Sequence, residues 1–172
     1  MSETQAAPQG QQLPPLVVNV QYIKDLSFEV PNAPDIYATL RAQPAVQINL
    51  DVQARAITEG QPVYEVVLSV KAEAREAPAA TNGNGASPAD GRVVFIAELH
   101  YGGVFTLNGV PPEAVEPLLL IECPRLLFPF ARNVLSEVTR EGGFPPVLLQ
   151  PIDFVGLWQA RRAQGGQTVA NA

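Results

Sequence analysis

Between Val18 and Glu29 the even positions Val18, Val20, Tyr22, Leu26 and Phe28 are apolar, whereas the odd positions include Asn19, Gln21, Asp25, Ser27 and Glu29. A period of two predicts a half-buried strand, interrupted locally at Ile23 and Lys24. Pro31-Asn32-Ala33-Pro34 forbids a regular hydrogen-bond ladder, and Asp35 to Leu40 has room for a short helical turn before Pro44, so an ordered crossover is expected. Val46, Ile48, Leu50 and Val52 alternate with Gln47, Asn49 and Asp51. Tyr64, Val66, Leu68, Val70, Ala72 and Ala74 mark a third strand. Ala54 to Pro62, with Gly60, is short enough to join these two as an antiparallel hairpin. Val93, Phe95, Ala97, Leu99 and Tyr101 predict a fourth strand ending at Gly102-Gly103, with Val94, Ile96, Glu98 and His100 on its other face.

The period then changes. Pro111-Pro112-Glu113 resembles a helix start, and Arg125 to Arg140 carries apolar residues at helical spacing before Gly142-Gly143. Phe144-Pro145-Pro146 and Pro151 frame an extended linker, after which Asp153 is placed to cap a terminal helix bearing Phe154, Leu157 and Trp158. Four strands followed by helices predict an α+β fold: a four-stranded antiparallel sheet with a long helix and a C-terminal helix packed on one face. Residues 16–164 form the expected domain. Residues 1–15 read as a disordered polar tail, Ala77 to Gly91 as a flexible hairpin tip rich in Gly, Asn and Ala, and 165–172 as a fraying end.

One stretch carries more apolar surface than a single helix on a small sheet can bury. Leu118-Leu119-Leu120-Ile121 and Leu126-Leu127-Phe128-Pro129-Phe130 are apolar nearly all round, which calls for a subunit interface, an exposed groove for a polypeptide, or both. Charge narrows the partners: 11 Lys plus Arg against 17 Asp plus Glu give a net −6, which disfavours a phosphate-tracking nucleic-acid binder and favours a basic partner. The first fifteen residues hold no Lys or Arg and no apolar h-region, so they do not read as a secretory signal. The single Cys123 cannot close an intramolecular disulfide and fits a reducing, cytoplasmic compartment.

Candidate chemistry is sparse. His100 is the only histidine, so no second one completes a zinc site. Cys123 sits in an apolar setting, where a thiol acts as a small buried hydrophobe with a raised pKa. No phosphate-cradling glycine motif is present, and no metal, cofactor or enzymatic activity is expected. Asp25 and Glu29 face the same way on the first strand, as do Ile96 and Glu98 on the fourth, but the sequence does not place the two strands together. A solvated polar face and an acidic patch for a basic partner both fit them.

Longer strings point further. Tyr22-Ile23-Lys24-Asp25-Leu26-Ser27-Phe28-Glu29-Val30-Pro31-Asn32-Ala33-Pro34, Tyr64-Glu65-Val66-Val67-Leu68, Gly102-Gly103-Val104-Phe105, Cys123 through Arg132, and Gly143-Phe144-Pro145-Pro146 with Leu148 and Pro151 resemble, in order, the motifs of the SecB family of protein-export chaperones. The resemblance spans roughly residues 16 to 162. It implies a cytoplasmic homotetramer, a dimer of dimers, that binds unfolded secretory precursors without ATP and passes them to the SecA motor. It also implies a SecA contact at Asp25, Glu29, Ile96 and Glu98, and a client groove between the crossover and the terminal helix at Ile36, Tyr37, Phe154, Leu157 and Trp158. The chain departs from the family pattern near Arg41, where members often carry a tryptophan, and in the long Ala77 to Gly91 insertion. A SecB-like chaperone dedicated to one antitoxin would have the same fold with a narrow client, and a small-molecule enzyme would need a polar pocket around His100 or Cys123.

Overall fold

A computed structural model describes residues 13–76, 91–165 and 169–170. Apart from Leu13 to Pro15 and Gly91, the expected N-terminal tail and hairpin tip lie outside the described residues, as does most of the expected fraying C-terminus. The elements follow in the order β1 (Leu16–Glu29), α1 (Asp35–Thr39), β2 (Ala45–Ala56), β3 (Val63–Arg75), β4 (Val93–Leu107), α2 (Pro112–Pro117), a π-helical turn (Leu118–Glu122), α3 (Cys123–Glu141), α4 (Phe154–Ala163) and β5 (Val169–Ala170). The sheet runs β1-β4-β3-β2-β5. Its four long strands are antiparallel, as the alternation predicts, and β5 adds two residues in parallel against Ala54 and Arg55 of β2.

The crossover carries the chain from β1 at one edge past β4 and β3 to β2, with α1 in its middle. Ile36 of α1 is fully buried with Phe95, Val94, Ala74 and Phe144, which fixes the crossover against the end of the sheet. Asn32 Nδ2 donates to the Val93 carbonyl at 2.8 Å and adds a polar tie.

The first strand corrects a simple alternation. Register shifts fall between Val18 and Val20 and between Ile23 and Asp25. Val18 pairs with Phe105 but Val20 with Val104, and Tyr22 pairs with Gly102 but Leu26 with Leu99, so the even positions do not share one face. Each extra residue in a bulge flips the side chains that follow. The bulge at Lys24 puts Lys24 and Asp25 side by side on the face away from the helices, and the positions after it, Ser27 and Glu29, stay there.

The other face is covered by α3. Leu127, Ala131 and Leu135 recur every four residues and are buried against Val66, Leu68, Leu99 and Phe105. Two glycines permit this approach. A Cβ on Gly103 would lie 2.8 Å from Leu127 and Phe105 side-chain atoms, and one on Gly102 would lie 2.9 Å from the Tyr22 ring on the opposite face. Helical structure begins at Pro112, with Pro111 extended before it, and continues to Glu141. Proline lacks the N–H of the helical ladder, and the π-helical turn falls between Pro117 and Pro124. Gly143, at φ +86°, reverses the chain after α3. The linker that follows is tied back to α3 by Thr139, whose Oγ1 donates to the Leu135 carbonyl at 2.9 Å and accepts the Val147 N–H at 3.0 Å. Asp153 caps α4 as expected, accepting the Gly156 N–H at 3.0 Å.

Candidate functional site

Two surfaces stand out, on opposite sides of the sheet. The first is the outer, helix-free face. Strand register sets Asp25 opposite His100, Ser27 opposite Glu98, and Glu29 opposite Ile96; on β3 the same β4 residues face Ser69, Lys71 and Glu73. Asp25, Glu29, Ile96 and Glu98 therefore share one face of adjacent strands, a juxtaposition that depends on the bulge at Lys24. Among the described residues Asp25 and Glu29 make no ion pair, while Glu98 is paired with Lys71 at 2.6 Å and Glu73 with Arg75. The Lys71 ammonium is held protonated above its ordinary range by Glu98 first, then by the charges of Glu73 and Glu29. It stands as a basic residue inside an acidic field.

Just beyond this field lies a group that sequence reasoning missed. Glu65 on β3 is 3% exposed, yet its carboxylate accepts hydrogen bonds from Tyr22 Oη, from Lys24 Nζ at 2.9 Å and from Arg55 Nε at 2.6 Å. Burial alone would raise its pKa, but Lys24, Tyr22 and Arg55 pull it down to about 2. Burial, followed by the hydrogen bond and charge of Glu65, pushes the Tyr22 phenol up to about 12. Glu65 thus bolts β1 and β2 to β3 and holds Lys24, the bulged residue, in place. A lone acid in the apolar run Val63 to Leu68 was its signal in the sequence.

The second surface is the β2 edge on the helix side. A cleft of about 470 Å³ runs between Val46 and Ile48 of β2 and the linker residues Pro145 to Ile152, with Phe95 at its base. A separate, smaller cleft of about 230 Å³ is lined by Leu50 and Val52 of β2 with Leu120, Leu157, Trp158 and Arg161. Leu157 and Trp158 therefore line a groove. Trp158 is oriented by its Nε1 donating to Glu116 at 2.9 Å and by the Arg162 guanidinium 5.0 Å from its ring centre. The other anticipated groove residues lie elsewhere: Ile36 and Phe154 are buried in the core, and Tyr37 stacks on Phe144 and donates to the Gly142 carbonyl at 2.7 Å. The linker wall, with Leu148 exposed, was not anticipated, because prolines gave that segment no period to read.

The remaining candidates are Cys123 and His100. Cys123 is buried, and burial, with the charge of Glu122, pushes its thiol up to about 12. His100 lies exposed on the outer face. Among the described residues no group of three or more His, Cys, Asp and Glu is arranged to hold a metal, and no helix is long and apolar enough to cross a membrane. Exposed apolar side chains remain on α3, at Leu126 and Phe130, and on the edge strand β1, at Val18, Val20, Ile23 and Leu26.

A helix-covered, four-stranded antiparallel sheet with a long helix and a C-terminal helix is the fold of a SecB-like chaperone. The structure superposes on a SecB-like chaperone of Mycobacterium tuberculosis, solved in complex with a peptide from an antitoxin, with a TM-score of 0.60 over 80% of this chain and 91% of that one, at 12% identity. A family model described as preprotein translocase subunit SecB matches residues 9–165. The chain is 64% identical to the protein-export protein SecB of Granulibacter bethesdensis, over 100% of this chain and 97% of that one, and 60% identical to that of Acidiphilium cryptum, over the full length of both. The chain belongs to the SecB family of protein export.

Proposed function

We propose that the protein is a non-catalytic, ATP-independent holdase: it keeps secretory precursors unfolded in the cytoplasm and delivers them to the SecA motor. The observation that carries this is the separation of two surfaces, an apolar cleft at the β2 edge and an acidic field on the opposite sheet face. Apolar side chains entering the cleft contribute about 1.5–3 kcal/mol each when fully buried, without sequence-specific hydrogen bonds, which suits many clients. The M. tuberculosis relative gives precedent for a peptide ligand on this fold.

The acidic field at Asp25, Glu29 and Glu98, with Ile96 among them, is the proposed contact for SecA, whose basic segment would be steered by the net charge of −6. A homotetramer, formed as a dimer of dimers, is supported by the exposed Leu126 and Phe130 of α3 and the apolar side chains of β1. Repeated clefts on one particle would hold a long client by several weak contacts at high effective concentration. The test is an Asp25→Lys, Glu29→Lys variant assayed for both partners. SecA binding should fall at least about tenfold, a loss of roughly 1.4 kcal/mol, with client capture unchanged. Equal loss of both, or of neither, contradicts the assignment of separate surfaces.

A further inference from the structure

The strand register lays the helix-free face out as a grid. Across β1, β4 and β3 one row reads Asp25, His100, Ser69, the next Ser27, Glu98, Lys71, and the third Glu29, Ile96, Glu73. Residues two apart on a strand share a face, so all of these point the same way. Two of the four carboxylates already hold a cation of the chain's own: Glu73 accepts from Arg75 Nε at 2.7 Å, and Glu98 pairs with Lys71 at 2.6 Å. The other two, Asp25 and Glu29, stand open on the edge strand, about 13 Å apart at about 3.3 Å per residue. On the far side of Lys71, β2 presents the uncharged Asn49. Its ammonium is therefore set among acids, with Glu98 acting on it most and the charges of Glu73 and Glu29 following.

We propose that Lys71 is a resident competitor for the basic partner of this face: it occupies Glu98 in the free chain and is displaced when a sufficiently basic segment binds. The proposal rests on the reading that the acidic field contacts a basic segment, and adds the residue that sets its selectivity. The Lys71–Glu98 pair is built to exchange. The two side chains are 42% and 40% exposed, and an ion pair so open to water contributes little by itself, so one cation can replace another there with little loss. Access is also open, because Ser27, the residue between Glu98 and the sheet edge, is small and uncharged. A segment with a single cation is satisfied at Asp25 or Glu29 and gains nothing at Glu98, since each contact made there releases Lys71. A segment with three or more cations spans Asp25, Glu98 and Glu29 together. Unfolded precursors with scattered lysines are thus disfavoured on this face relative to a densely basic partner.

Lys24 and Lys71 are the only lysines of the chain, which makes the test direct. Lysine labelled with 13C at Cε reports the charge and surroundings of each ammonium in the full-length chain, and the Lys71→Gln variant identifies the Lys71 signal by its loss. The probe is a fluorescein-labelled peptide of about ten residues, about half of them Lys or Arg, around one Leu. On adding it, the Lys71 signal should move and its titration midpoint should fall toward that of a free lysine, while Lys24, held by Glu65 at 2.9 Å, changes little. Lys71→Gln should bind the peptide about three- to tenfold more tightly at low salt, whereas Arg41→Gln, which removes the same charge from the exposed crossover, should gain less than about twofold. If Lys71→Gln gains nothing, or Arg41→Gln gains as much, Lys71 is not a competitor. If the peptide binds and the Lys71 signal stays where it was, displacement is overturned although the acidic field is used. If the peptide does not bind, or binds the Asp25→Lys, Glu29→Lys variant equally well, the acidic-field reading itself fails, and this inference with it.

Discussion

Replacing Glu65 by Gln removes the charge that three donors on two other strands converge upon. A hydrogen bond to a charged group contributes about 1.5–3 kcal/mol, but the Lys24 and Arg55 side chains are 42% and 55% exposed and regain water when released. With one amide oxygen still able to accept, the net loss is about 2–3 kcal/mol. In a chain of this length that lowers the melting temperature by about 5–10 °C at neutral pH and fixed protein concentration. The pH dependence fixes the cause. The folded-state pKa of Glu65 lies near 2, below its ordinary 4.5, so its contribution is fully present above about pH 4.5 and is lost as pH falls toward 2. Thermal unfolding of the two chains across pH 2–8 should show a gap that is constant from about pH 5 upward and closes in acid. A gap that persists at the lowest pH, or no gap at pH 7, refutes the ion cluster as the brace. Because Lys24 is the bulged residue that sets the faces of Asp25 and Glu29, SecA affinity should fall in the same variant.

Other perturbations bear on separate parts of the account. Gly103→Val drives a side chain into Leu127 and Phe105, already 2.8 Å from a bare Cβ, and should destabilise the fold by about 1–3 kcal/mol in chemical denaturation, whereas Gly60→Ala meets nothing within 4 Å and pays only for its φ of +74°. Lys71→Gln removes the basic residue within the acidic field and should strengthen binding of a basic SecA peptide several-fold at low salt, with the gain shrinking as salt is raised. Phe130→Glu, at a position 50% exposed on α3, should reduce the assembly mass seen by light scattering while the circular dichroism of the chain is kept. Trp158 is the single tryptophan and lines the smaller cleft, so its emission should shift when an unfolded polypeptide is captured, and should not shift with a basic peptide alone.

The elements were legible because their periods are clean: β2, β3 and β4 alternate without interruption at their centres, and Asp153 and Gly143 mark helix ends by chemistry that is local. The faces of β1 were not, because two bulges each shift the phase by one residue, and a bulge is decided by the partner strand. Ile23 and Lys24 showed that the pattern broke; only the pairing with β4 shows that the break delivers Asp25 and Glu29 to the same face as Glu98. Glu65 was hidden for a related reason, since its three donors are 10 to 43 residues away in sequence. The groove was half legible. Leu157 and Trp158 of the smaller cleft follow from a helical stripe, but the larger cleft is walled by a proline-framed linker whose position is set by Thr139 and Phe144.

The central claim is that the chain holds unfolded polypeptide without nucleotide. Light scattering at physiological salt, on the chain alone and after an unfolded secretory precursor is diluted into it, tests this most directly. The account predicts a particle of about four times the 18.4 kDa chain mass that gains the mass of the precursor in the absence of ATP. A particle whose mass is unchanged by the precursor, while the precursor aggregates beside it, contradicts it.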